Sequence, residues 1–187
     1  MKPKSSPIPK PKIFTIGHST RTIEVFLGLL QAYDVRRLVD VRTIPRSRHN
    51  PQFNQDVLPE ALNPVGIEYV HMEALGGLRH SRADSTNTGW RNTSFRGFAD
   101  YMQTPEFESG LQALIREANL GRTVIMCAEA VPWRCHRSMI GDALTVSGYQ
   151  VEDIMSLSKA TPHTLTPFAK VKGRRITYPP ISPVGEL

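Results

Sequence analysis

Five short apolar runs alternate with stretches of helical periodicity, and this alternation narrows the fold more than any other feature of the chain. Residues 13–16, 38–41, 67–72, 123–126 and 150–155 have strand length and a β-branched or apolar character. After the first run, Ile23, Phe26, Leu27 and Leu30 recur at helical spacing behind Thr22, which predicts an N-capped helix. Leu58, Ala61, Leu62 and Val65 predict a second, closed by Gly66 in the left-handed cap position. Phe95, Phe98, Ala99 and Met102 predict a helical turn or two. Thr104, Pro105, Glu106 and Glu108 open a long helix with a stripe through Phe107, Leu111 and Leu114, ended by Gly121. Met139, Ile140, Ala143 and Leu144 form the last stripe, which stops at Gly148. The order β-α-β-α-β-α-β-α-β predicts an α/β protein: a single layered domain with a mainly parallel central sheet flanked by helices.

A chain of 187 residues with 40% hydrophobic content can build one full core. Its apolar runs are far too short for a membrane span, and no charged-then-apolar leader opens it, so the expectation is cytoplasmic without a membrane partner. Two cysteines make no disulfide framework. The net charge of +6 is partly local. Lys2, Lys4, Lys10 and Lys12 lie in a Pro- and Ser-rich leader over 1–12, and Lys172, Arg174 and Arg175 lie in a Pro-rich tail over 171–187. The domain is expected over 13–170, with both ends poorly ordered or loosely laid on its surface. Solubilising ends are one reading of this charge, and contact with nucleic acid is the other.

In a parallel sheet all carboxyl ends lie on one edge, where ligands bind. His18 and Ser19 follow the first strand, and Asp40 and Arg42 follow the second. Gly76, Gly77 and Arg79 follow the third, and Cys127 and Glu129 the fourth. A strand end is polar simply because it leaves the core, but four such clusters on one edge predict a pocket. The stretch 123–144 carries most of the chemistry, because Cys127, Glu129, Arg134, Cys135, His136 and Arg137 fall where strand hands over to helix. Cys135 is expected in the first turn of that helix, where aligned amides and Arg134 and Arg137 favour a thiolate. Cys135 or Glu129 is then the nucleophile or base, and His18 or His136 the proton carrier. Asp40 would orient a cation or a substrate hydroxyl. Arg42, Arg46, Arg134 and Arg137, with Ser19, would hold an anion. Cys127 ends an apolar strand, where burial favours the neutral thiol.

Cysteine phosphatases and rhodaneses place about five residues between cysteine and arginine, whereas Cys127 reaches Arg134 only after six. Cys127, Cys135 and His136 supply three metal ligands at a spacing that fits no standard zinc pattern, so no metal site is assigned. No dinucleotide or P-loop fingerprint is present, and the sequence names no cofactor. Taken in order, Thr15-Ile16-Gly17-His18-Ser19, Val39-Asp40-Val41-Arg42 with Pro45-Arg46-Ser47, Cys127-Ala128-Glu129 and Cys135-His136-Arg137-Ser138 resemble the domain-of-unknown-function family 488 over residues 13 to 170. The resemblance implies a compact α/β domain in a bacterial-type cytoplasm and no established reaction. The functional expectation is an enzyme, a hydrolase or transferase, acting on a small anionic ligand or nucleic acid. The alternatives are a non-catalytic nucleic-acid-binding module and a metal-binding protein.

Overall fold

A computed structural model describes residues 10–181. Five parallel strands form the sheet: β1 (Ile13–Gly17), β2 (Arg37–Asp40), β3 (Glu68–His71), β4 (Thr123–Cys127) and β5 (Val151–Ile154). Their spatial order is β3-β2-β4-β1-β5, and a short antiparallel β6 (Ala160–Pro162) closes the β5 edge. Gly17 is paired with Cys127, and Asp40 with Met126, so the ends of β1, β2 and β4 are level.

Helices α1 (Ile23–Ala32) and α2 (Leu58–Leu62) cover one face, and α3 (Thr93–Tyr101), α4 (Pro105–Leu120) and α5 (Arg137–Val146) cover the other. Thr22, Asn92 and Thr104 accept hydrogen bonds from first-turn amides of α1, α3 and α4, so local capping sets these starts. Gly66 ends the second helical segment at φ 71°, as its position predicts. Side chains alternate across each strand. Val124 and Met126 of β4 therefore enter the α1/α2 core, while Ile125 and Cys127 enter the α3/α4/α5 core. The connection from β1 leaves over the first face and that from β4 over the second. Adjacent strands with diverging connections create a crevice at their carboxyl ends, the favoured ligand position in open α/β sheets.

The C-terminal stretch differs from the loose tail the sequence predicts. β7 (Lys170–Lys172) and β8 (Arg175–Thr177) form a hairpin, and Ile176 and Tyr178 are buried in the α3/α4/α5 core. Apolar side chains at these two positions gain more from burial than the prolines around them forbid. At the other end, Lys12 pairs with Glu152 at 2.6 Å and Lys10 donates to the Ser147 carbonyl. The rest of the expected leader, residues 1–9, lies outside the described residues. Among the described residues no helix is long and apolar enough to cross a membrane.

Candidate functional site

The carboxyl edge of β1, β2 and β4 gathers the polar residues into two groups, one on each face of the sheet. On the α1/α2 face, Arg42 clasps Asp40 through Nε (2.9 Å) and Nη2 (2.6 Å) and donates to the Phe53 carbonyl. Both partners of this ion pair are buried. Arg42 Nη1 also lies 3.2 Å from His18 Nε2. A guanidinium can only donate, so His18 Nε2 is the acceptor and its Nδ1 carries the proton, donated to the Ser19 carbonyl. Burial and then the charge of Arg42 hold the His18 imidazole below its ordinary pKa, and its ring stacks on Phe53. Tyr69 donates to Asp40 as well.

On the opposite face stand Cys127, Cys135 and His136, all buried and both thiols free. His136 Nε2 lies 3.1 Å from the Val41 carbonyl and 3.0 Å from the Leu75 carbonyl. Two acceptors fix a proton on Nε2, so in the neutral ring Nδ1 is the nitrogen that carries the lone pair. That lone pair faces Cys135 Sγ at 3.8 Å and Cys127 Sγ at 4.0 Å. The ring is held edge-on by Phe98 and from below by Gly77, where a side chain would strike it. A hydrogen bond from Cys135, together with His136 and Arg137, draws the Cys127 thiol well below its ordinary pKa despite burial. Cys135 is pushed well above its own, because its proton is held by that same bond and because it is buried.

These directions run opposite to the expected order of the two thiols. Cys135 does not open the helix. It follows a 3-10 turn over Pro132–Arg134 in extended conformation, and α5 begins only at Arg137 with His136 as its cap. Cys135 therefore precedes the aligned amides that would have favoured its thiolate.

Arg137 is almost fully buried and works inside the protein. It donates to the carbonyls of Glu129 (2.5 Å) and Ala130 (3.0 Å) and to Thr15 Oγ1 (3.2 Å), pinning the loop after β4 onto β1. Gly17 makes this approach possible, since a Cβ there would overlap the Glu129 carbonyl. The strand pairing runs on past Gly17, with His18 and Ser19 amides donating to the Cys127 and Ala128 carbonyls. Ser19 is left with φ 51°, a left-handed backbone uncommon outside glycine. The Glu129 side chain is half-buried and accepts from the Val131 amide. Arg46 and Arg134 are exposed, in the loops that leave β2 and β4.

A second polar network escaped the sequence reading. Thr15 donates to Asp153, Asp153 lies beside His163, and His163 pairs with Asp142 at 2.9 Å, which also accepts from Tyr178. Burial alone would lower the His163 imidazole, but Asp142 and Asp153 carry it up to about 9. Gly141 of α5 leaves room for its ring. Asp153 and His163 also line a cleft of about 520 Å³ walled by Trp90, Trp133 and Phe168. A polar residue within an apolar stretch, as Thr15 and Asp142 are, was the one sequence signal available.

Residues 22–144, more than half of the chain, match the family described as domain of unknown function DUF488. No curated protein and no solved structure matches the chain.

Proposed function

The chain belongs to the DUF488 family, and from that premise we propose that it is an enzyme whose reactive group is the Cys127 thiol and whose substrate carries an anionic group. One observation carries this reading: the Val41 and Leu75 carbonyls commit His136 to a single tautomer, so its Nδ1 lone pair faces the thiols. Such a nitrogen can take the proton of Cys127, and the Cys135 S–H can donate to the thiolate that results. This is the arrangement in which a nucleophile meets a base that a third group orients. The sulfur ends β4 beside β1, at the crevice where open α/β sheets receive ligands. Arg137 adds a buried positive charge nearby without facing solvent itself. The substrate anion falls to Arg46 and Arg134, whose exposed guanidiniums leave adjacent strands. Glu129 and Ser19, at the ends of β4 and β1, complete the rim. The setting is a reducing cytoplasm, in which both thiols stay free.

The test is turnover of p-nitrophenyl phosphate, bis(p-nitrophenyl) phosphate and p-nitrophenyl acetate by the chelator-treated, reduced protein. Activity lost in Cys127→Ser, with the far-ultraviolet dichroism unchanged, supports the assignment. Undiminished activity in that variant sinks it. Salt-dependent binding of a mixed-sequence oligonucleotide without any turnover would favour the non-catalytic nucleic-acid-binding reading instead.

A further inference from the structure

We propose that Cys127 Sγ, Cys135 Sγ and His136 Nδ1 form a binding site for Zn²⁺ with one coordination position left open. The three ligand atoms lie within 4.8 Å of one another and all three residues are buried. In a tetrahedral site, Zn–S bonds of 2.3 Å and Zn–N bonds of 2.0–2.1 Å put sulfur about 3.6 Å from nitrogen and the two sulfurs about 3.8 Å apart. Cys135 and Cys127 already stand 3.8 and 4.0 Å from Nδ1. The two sulfur-to-nitrogen distances therefore reach zinc values by closing a few tenths of an ångström, within rotamer adjustment, and the two sulfurs lie within 4.8 Å of each other.

The surroundings fit a metal ligand as well. A ligating histidine donates its other N–H to a backbone carbonyl or carboxylate, which fixes the tautomer and the ring. His136 does so to two carbonyls at once. Gly77 and Phe98 hold the ring from outside. The residues come from the end of β4 and from the loop eight residues later, so the site is assembled by the fold and not by a local ligand spacing. On binding, each S–Zn bond replaces an S–H bond where the proton is still present, and that proton passes to water. Nδ1 gives its lone pair, and a proton it has taken from Cys127 passes to water first. Three protein ligands leave a fourth position for water or another small donor, as in open zinc sites.

This inference shares its cluster with the proposed nucleophile and gives that site a regulator. Zinc on Cys127 Sγ withdraws electron density from the sulfur that would attack, so metal binding lowers the reactivity of the thiol.

The reduced full-length protein is titrated with Zn²⁺ and, in parallel, with Co²⁺ as a spectroscopic probe. The expected results are one zinc retained per chain and intense visible cobalt bands of tetrahedral type with sulfur-to-metal charge transfer. Cys127→Ser, Cys135→Ser and His136→Asn should each weaken zinc by more than about 100-fold. Because a variant may misfold, a second measurement uses the unaltered protein: zinc should protect Cys127 from iodoacetamide, and a chelator should restore its alkylation. Zinc that fails to bind stoichiometrically, cobalt spectra lacking the sulfur band, or alkylation of Cys127 at an unchanged rate in the presence of zinc each overturns the site. Zinc bound as described in a protein that turns over no ester when chelated would leave the site standing and remove the nucleophile.

Discussion

The imidazole of His136 rests against Gly77 so closely that a Cβ at the glycine would stand 2.5 Å from Nδ1. The glycine is needed for space and not for an unusual backbone. Gly77→Ala should push the ring off the Val41 and Leu75 carbonyls and blur its tautomer. Overpacking of this kind costs about 1–3 kcal/mol. The expected outcome is a lower midpoint in urea together with slower alkylation of Cys127. An unchanged alkylation rate would mean that the ring position does not govern the thiol.

Cys127 should be the more reactive thiol. In a chelated, reduced sample, a pH series of iodoacetamide labelling with site assignment by mass spectrometry should modify Cys127 first and at lower pH. The hydrogen bond from Cys135, followed by His136 and Arg137, favours its thiolate, while the same bond and burial keep Cys135 protonated. Labelling of Cys135 first would return the nucleophile to the position that the sequence suggested.

His163 makes stability depend on pH. Its folded pKa of about 9 is raised above the ordinary 6.5 by Asp142 and Asp153. A raised histidine binds its proton more tightly in the native state, so its contribution is complete below pH 6.5 and is lost as pH rises through about 9. The loss should be on the order of 3 kcal/mol. Thermal melts between pH 6 and 10 should show this decline, and His163→Gln should flatten it. A wild-type melt independent of pH over that span would show that the two carboxylates do not hold the proton.

The Asp40–Arg42 pair should be far more sensitive to one deletion than to two. Arg42→Ala leaves a buried carboxylate with only the Tyr69 hydroxyl and the backbone amide of residue 42, which costs about 3–5 kcal/mol. It also removes the donor to His18 Nε2. The double variant Asp40→Asn, Arg42→Met should recover part of that loss, as measured by guanidinium unfolding. Equal destabilisation in both would mean that packing, not the uncompensated charge, sets the cost.

Tyr178 ties the C-terminal hairpin to α5 through Asp142. Tyr178→Phe keeps the ring and strips the donor from a buried carboxylate, for an expected cost of about 1–3 kcal/mol. Removing residues 174–187 takes Ile176 and Tyr178 out of the core and should lower the melting temperature much further than the point substitution. Similar effects from the two changes would show that the hydrogen bond alone anchors the hairpin.

The parallel α/β layering was legible in the sequence because it depends on periodicity, and periodicity is a property of neighbours along the chain. Apolar runs two residues in period and stripes near 3.6 fix which segments are strands and helices. Thr22, Thr104, Pro105 and Gly66 mark the ends through bonds made within a few residues. The polar strand ends at His18, Asp40 and Cys127 were legible for the same reason. What the sequence could not decide is everything that depends on strand order and on which face a side chain takes. Only the order β2-β4-β1 brings Val41 beside the loop after β4 and so fixes the His136 tautomer. Only the alternation of β1 and β4 across the sheet sends His18 to one face and Cys127 to the other. Arg137 reads as a surface anion-binder in sequence, because its partners Thr15, Glu129 and Ala130 are backbone and hydroxyl oxygens with no charge to announce them. The burial of Tyr178 and Ile176 was hidden by the prolines that follow them. Short-range pattern specifies the elements, and long-range packing decides which polar side chains meet.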